Sequence, residues 1–363
     1  MRILNIPGPA NPKRGDRWFA ACLQFAPDAH ELFLRQTVTQ RRKNRDKQWA
    51  SFGKLDLTTG HWEQLCEFEH AESPLKAWSR DCSRIVTYVG DSHRDGDIIV
   101  VDDSQNILWE TEGWLWRCID LLETQATRGI VFSPDGRWLY AAEHAFIGPR
   151  RRTVSASINR ADVHAHFAKP METSKINPLT GQPGGFYSPT PMTRVAVLPE
   201  GVAVSVVEAS PDGRSVVAGT TTGDTYLIRV RGGETLGVLK RKRGKRTENH
   251  AVRRISFRPS GKQLGVVVDG MVRVWDVKSA KLLWDAEDAK AHAIDLAYHP
   301  DGNTLAVARS DGAAVFLDAQ TGAVRKRYAW KVGQLNSIAF SPDGLTCAAG
   351  GEKGQVVVWD VDA

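Results

Sequence analysis

One phrase returns seven times along this chain: an apolar strand, then Ser-Pro-Asp-Gly or a variant of it, then a second apolar strand. It reads VFSPDGRWLYAA at 131–142, EASPDGRSVVAG at 208–219, SFRPSGKQLGVV at 256–267, AYHPDGNTLAVA at 297–308 and AFSPDGLTCAAG at 339–350. Two weaker copies, QFAPDAHELFLR at 24–35 and AWSRDCSRIVTY at 77–88, complete the set. Within the phrase Pro fixes φ at the second turn position, Asp hydrogen-bonds its own backbone, and Gly takes the left-handed conformation. Each copy is therefore a hairpin corner. Pro259 to Pro300 is 41 residues and Pro300 to Pro342 is 42, the length of one four-stranded repeat unit of about 40 to 45 residues.

A second phrase follows the first at a fixed offset, as DGMVRVWDVKSAKLL at 269–283, DGAAVFLDAQTGAVR at 311–325 and KGQVVVWDVDA at 353–363, with fainter copies at 95–108, 222–236 and 52–62. Each is a third strand, mostly ending in Asp, followed by a polar turn, and the fuller copies continue into a fourth strand. With Trp-Asp at 275–276 and 359–360, the chain resembles the WD40-repeat family over essentially its whole length. The well-kept Ser-Pro-Asp-Gly turns are similar to the repeats of bacterial members, though eukaryotic members carry them too. The resemblance implies an all-β fold, a single seven-bladed WD40-type β-propeller over residues 1–363. The last copy stops after its third strand. Arg2 to Ile6, which has no blade of its own, is expected to pair with the strand around Val356 to Trp359 and so remove an open sheet edge.

The family commonly carries a His that hydrogen-bonds an Asp ahead of the third strand, with Trp beside it. The resemblance carries this to His250, Asp269 and Trp275 in blade 5. Blade 6 keeps His292 and Asp311 but has Leu317 in the Trp position, and Trp359 takes that position in blade 7. These roles are structural.

One interval breaks the period. Pro134 to Pro211 spans 77 residues, and the excess is expected as a Pro-, Gly-, Ser- and Thr-rich loop at about 157–192 in blade 3, between a third strand near 153–158 and a fourth near 194–199. His164 and His166 lie there with Asp162 nearby, but two histidines without a third positioned ligand read as loop residues rather than a metal site.

In this fold the loops from second to third strand, and those from blade to blade, emerge on one rim. The basic runs fall in them: Arg41, Arg42, Lys43 and Arg45 in blade 1, Arg150, Arg151 and Arg152 in blade 3, and Lys240, Arg241, Lys242, Arg243, Lys245 and Arg246 between blades 4 and 5, with His93 and Arg94 adding to them in blade 2. Trp114 and Trp116 belong to the connection from blade 2 to 3 and Trp330 to that from blade 6 to 7. Cations interleaved with Trp suit an acidic partner, because Arg and Trp are the residue types that most often carry interface energy. The other reading of these runs is a set of solvated loops, and of each Trp an inward anchor.

Three function classes follow. The first is a non-enzymatic protein-interaction scaffold whose basic, Trp-bearing rim takes an acidic or phosphorylated protein segment. The alternative is a nucleic-acid-binding module using the same cations, with Trp rings stacking on bases. The third, an enzyme with a site at the channel, finds no G-x-S-x-G, no H-E-x-x-H and no P-loop in the chain, and no catalytic residue, cofactor or metal is assigned.

Composition adds the setting. The hydrophobic fraction of 42% and charged fraction of 25% are those of ordinary folded protein, and a net charge of +6 with pI near 9.1 is modest. Five cysteines, dispersed and without a CxxC pair, fit a reducing, cytoplasmic compartment. The N-terminal apolar run is broken by Pro7 and Gly8, so neither a signal peptide nor a membrane segment is expected. The propeller is expected to be monomeric.

Overall fold

The corner chemistry decides the architecture. In the computed structural model, the turn aspartates Asp28, Asp81, Asp135, Asp212, Asp301 and Asp343 each accept the N–H two residues on, at 2.7–3.2 Å. Where serine precedes the turn, its hydroxyl donates to that aspartate and accepts the N–H five residues on, as Ser210 does from Ser215 at 2.9 Å and Ser341 from Thr346 at 2.9 Å. The residue after the Asp must be left-handed. Gly fills that place in four of these six corners, but Ala29 and Cys82 hold φ of 61° and 60° in the other two, a strain of order 1 kcal/mol each. This is why those two copies read weakly in sequence.

The structure describes residues 1–8, 15–40, 47–69, 77–91, 95–102, 107–110, 129–147, 152–163, 170–171, 186–187, 193–240, 251–286 and 290–362. Among these there is no helix, and seven four-stranded antiparallel sheets account for all but one short hairpin. Blade 1 holds Arg17–Phe25, Glu31–Gln40, Lys47–Asp56 and Trp62–Glu69, and blade 2 holds Ala77–Trp78, Arg84–Asp91, Asp95–Asp102 and Ile107–Glu110. Blade 3 is built from Ile130–Phe132, Trp138–Ile147, Arg152–Asp162 and Thr193–Val197, and blade 4 from Val204–Ala209, Ser215–Thr220, Thr225–Arg229 and Thr235–Leu239. Blade 5 comprises Arg254–Phe257, Gln263–Val268, Met271–Asp276 and Lys281–Ala286, and blade 6 Ala293–Tyr298, Thr304–Arg309, Ala313–Asp318 and Val324–Ala329. In blade 7, Ser337–Phe340, Thr346–Gly350 and Gln355–Asp360 take their fourth strand from the N-terminus, Arg2–Asn5.

That closure has the expected partners, with Arg2 opposite Val358 and Asn5 opposite Gln355. Ile6 N–H donates to Gly354 O at 2.9 Å, and Gln36 Nε2 of blade 1 donates to Pro7 O at 2.7 Å. Ile6 is buried in one cluster with Leu32, Leu34 and Leu55 of blade 1 and Val356 and Val358 of blade 7. The N-terminal strand thus seals both an edge and an interblade core.

The contacts group the chain into two compact units, one of residues 1–71 with 253–363 and one of residues 72–252. The first holds blades 1, 5, 6 and 7. Its apolar clusters form between adjacent blades, Val272, Val274, Leu296 and Leu305 joining blade 5 to 6, and Phe316, Ile338, Val357 and Trp359 joining 6 to 7. A buried ionic node crosses the same blades. Asp295 on the first strand of blade 6 accepts Arg254 Nε and, at 2.8 Å, Arg254 Nη2 from blade 5, and also its neighbour Leu296 N–H at 2.8 Å and Ile338 N–H of blade 7 at 3.1 Å. The second unit holds blades 2, 3 and 4, with Tyr140, Ile158, Val207 and Ile228 packed between blades 3 and 4. Arg84 Nη1 donates to Gly136 O at 3.0 Å and so ties the corner of blade 2 to that of blade 3.

Blade 3 departs from the expected boundaries. Its third strand runs to Asp162, paired opposite Trp138, so residues 157–162 are strand rather than loop. The second strand is ten residues long, and the third must match it to satisfy the backbone. Beyond it a short hairpin pairs Pro170–Met171 with Phe186–Tyr187, and the latter lies beside the fourth strand of blade 2.

The turns after the third strands are carboxylate-centred. Asp318 accepts Thr321 N–H at 2.8 Å and Gln320 N–H at 2.9 Å and pairs with Arg325, and these partners, the Thr321 bond foremost, hold its pKa at about 2. Asp276 is lowered by Ser279, and in the first-to-second-strand corner of blade 7 Asp343 is lowered by Ser341 and then Leu345 N–H. A depressed carboxylate contributes stability that is complete above its unfolded pKa, roughly 3.9, and is lost as pH falls through the folded value. Thermal melts are therefore expected to hold their midpoint down to about pH 4 and drop steadily toward pH 2. The drop should be shallower in Asp318→Asn, and an acid limb identical in the variant would show that this turn contributes nothing.

Candidate interaction surfaces

The basic runs fall at one kind of strand end. In blade 1, Gln40 pairs with Lys47, and Arg41, Arg42, Lys43 and Arg45 lie in the hairpin loop between them, outside the described residues. Arg150 and Arg151 fall likewise between Ile147 and Arg152 and are not described. Arg152, expected in that loop, opens the third strand opposite Ile147, because the hairpin closes one residue earlier than its charge pattern suggests. His93 and Arg94 occupy the same hairpin loop of blade 2, between Asp91 and Asp95, again undescribed.

Lys240 is exposed and follows Leu239, which pairs with Thr225 at the start of the third strand of blade 4. The connection from blade 4 to 5 therefore leaves at the end that carries the turn between second and third strands. Arg241, Lys242, Arg243, Lys245, Arg246 and His250 belong to this connection beyond the described residues, as do Trp114 and Trp116 in the connection from blade 2 to 3. Each described anchor point thus lies at the same end of its own blade.

Trp330 also leaves at that end, next to Ala329, which pairs with Ala313. Its ring packs 4.6 Å from that of Trp359 and stacks on Tyr328 at 5.9 Å and 5°. Its Nε1–H points to Met1 Sδ at 2.8 Å. The indole is half-buried, so it anchors the connection between blades 6 and 7 and offers only part of its surface.

The structural residues divide. Trp275 and Trp359 are buried core of the third strands. Asp269 is left-handed, φ 56°, in the turn before the third strand of blade 5, with Arg273 Nη2 3.9 Å from its carboxylate. In blade 6 the expected partnership of His292 with Asp311 is replaced. Asp311 receives Arg327 Nη2 at 2.8 Å and lies 3.5 Å from Arg309 Nε, two guanidinium groups that take the carboxylate. His292 instead donates its backbone N–H to Ser310 Oγ at 2.9 Å and crowds Gly270 of blade 5, where a Cβ would lie 2.5 Å from Nδ1.

His164 and His166 are outside the described residues, and Asp162 beside them is taken by Arg137 Nε and Nη2 at 2.9 and 2.7 Å. Among the described residues no three His, Cys, Asp or Glu side chains converge as metal ligands. Sequence reading missed the Arg254–Asp295 node and the packing of Arg137 and Arg160 over Trp138, 5.1 and 4.4 Å from its ring. The recurrence of a charge one period after another, at 254 and 295, is the signal that points to the first.

Comparison with known proteins agrees with this architecture. Two family models match, "Anaphase-promoting complex subunit 4 WD40 domain" over residues 280–335 and "WD domain, G-beta repeat" over residues 241–276 and 327–360. Similar curated proteins include WD repeat-containing protein 90 of Xenopus tropicalis, 26% identical over 161 residues, which are 44% of this chain and 8% of that protein. Periodic tryptophan protein 2 homolog of Schizosaccharomyces pombe is 30% identical over 36% of this chain and 15% of its own length. Echinoderm microtubule-associated protein-like 2 of Homo sapiens is 32% identical over 26% of this chain and 14% of its own. The chain spans only a small part of each of these relatives. Among solved structures, the β-propeller domain of Cps50 (Swd1) from Myceliophteria thermophila superposes with a TM-score of 0.62 at 14% identity, over 94% of this chain and 97% of that one.

Proposed function

We propose that this WD40-repeat propeller is a non-enzymatic scaffold that binds an acidic or phosphorylated protein segment through the basic loops at the second-to-third-strand ends of its blades. WD40 propellers generally bind protein partners, and neither matching family model names a catalytic domain. The observation that carries the acidic preference is placement: three separated basic runs, in blades 1 and 3 and after blade 4, each flank the same end of their blade. Such runs raise local positive potential well above what a net +6 spreads over the surface.

Neutralising Lys240 to Arg246 to glutamine is expected to weaken binding of a fluorescent acidic phosphopeptide by tenfold or more at near-physiological salt, about 1.4 kcal/mol, while leaving the thermal midpoint unchanged. Equal affinity of variant and parent would remove this connection from the surface. The same cations suit phosphate backbones, so duplex and single-stranded oligonucleotides belong in the titration. Micromolar binding to them at that salt, exceeding that of the peptide, would favour the nucleic-acid reading.

A further inference from the structure

Blade 5 breaks the corner rule that the other six blades obey. Where they place Asp28, Asp81, Asp135, Asp212, Asp301 and Asp343, it has Ser260, whose Oγ meets the N–H two residues on, that of Lys262, at only 3.4 Å. The charge around the gap is also inverted. Lys262, Lys278 and Lys281 lie in or beside this corner's two turns against a single carboxylate, Asp276, which is bound by Ser279 N–H at 2.7 Å and Ser279 Oγ at 2.6 Å, while Arg258 turns to blade 6 with its Nη2 3.4 Å from Asn303 Oδ1. Val277 N–H donates to Lys262 O at 2.9 Å, bringing the turn with Lys278 and Lys281 against the turn with Ser260.

Ser260, Lys262, Lys278 and Lys281 are exposed, and no salt bridge engages the three lysines among the described residues. The same corner in blade 6, residues 299–303 with 318–323, has two Asp and no Lys or Arg, and that of blade 7, residues 341–345 with 360–362, has three Asp and none. One corner therefore lacks its anion, holds a hydroxyl in its place, and gathers cations around it.

We propose that Ser260 is a phosphorylation site. A protein serine kinase transfers the γ-phosphoryl group of ATP to Ser260 Oγ. The Oγ–P bond forms as the bond from that phosphorus to the bridging oxygen of ADP breaks, ADP leaves, and the hydroxyl proton passes to the base of the kinase. The product carries a charge near −1.5 to −2 and three acceptor oxygens, and so supplies the anion that six corners have as aspartate. It reaches the Lys262 N–H and the ammonium groups of the corner, and converts a cationic patch on blade 5 into one close to neutral. The inference goes beyond the basic-loop reading and does not rest on it.

Two measurements on the full chain test it. Protein purified from its own cells with phosphatases inhibited, and mapped by mass spectrometry, is expected to carry phosphate on Ser260. Complete coverage of that peptide without phosphate across growth and stress conditions, or phosphate only elsewhere, overturns the site. Chain made with phosphoserine installed at 260 is expected to melt about 1–3 °C higher than the unmodified chain and to show a phosphorus-NMR titration midpoint below the usual value near 6. Both shifts should vanish in Lys262→Ala, Lys278→Ala. An unshifted titration, or a Tm that falls, overturns the fit of phosphate to this corner.

Discussion

Asp295→Ala should be the most damaging single substitution away from the apolar core, lowering stability by about 3–5 kcal/mol, the usual cost of removing one partner from a buried ion pair. Asp295 is 3% exposed and satisfies donors from three consecutive blades. Its removal strands the Arg254 guanidinium, 15% exposed, and the Ile338 N–H inside the protein without an acceptor. Asp295→Asn, which keeps the shape and one acceptor oxygen but loses the charge, should fall between the two. Urea melts of both variants give the measurement. If alanine costs under about 1 kcal/mol, the node behaves as a surface pair and the account of its burial fails. In the double variant Arg254→Met, Asp295→Leu much of the stability should return, since replacing both charges by apolar groups removes the desolvation cost as well as the attraction.

Removing residues 1–8 should destabilise the first unit by several kcal/mol rather than trim a loose end. Ile6, 2% exposed, alone represents about 1.5–3 kcal/mol of burial. The strand bonds to Gln355–Val358 add roughly 0.5–1.5 kcal/mol each, and the uncovered edge becomes a template for pairing with another chain. The expected result is a lower, broader thermal transition together with concentration-dependent association. Ile6→Ala separates the two effects, because it should cost about 2–5 kcal/mol by the cavity it leaves while the edge remains paired. A truncated chain that melts like the intact one and stays monomeric would refute the closure.

The seven blades were legible because their corners are local: Pro, Asp and Gly set the turn within four residues, and the period follows. The closing strand was legible by counting, since Arg2–Asn5 had no blade and the last blade lacked a strand. What escaped was whatever depends on the neighbour across a blade interface. Nothing adjacent to Asp311 in sequence says that Arg327, 16 residues on, will take its carboxylate. A tryptophan just past a strand carries no indication that Trp359 and Tyr328 will receive it. Blade 3 hid its third strand in polar residues such as Asn159 and Arg160, which read as loop until their pairing with Tyr140 and Ala141 is seen.

Borrowing the last blade's outer strand from the N-terminus also imposes an order on folding. Residues 72–252 form a unit continuous in sequence, whereas the other unit joins 1–71 to 253–363. Arg2–Asn5 must wait for Gln355–Val358 before the strand is paired, and a contact of such long separation forms late. Until then blade 1 stands with Ile6 and its apolar neighbours uncovered, an interval during translation when a chaperone, or a second nascent copy, meets a surface the finished protein never shows.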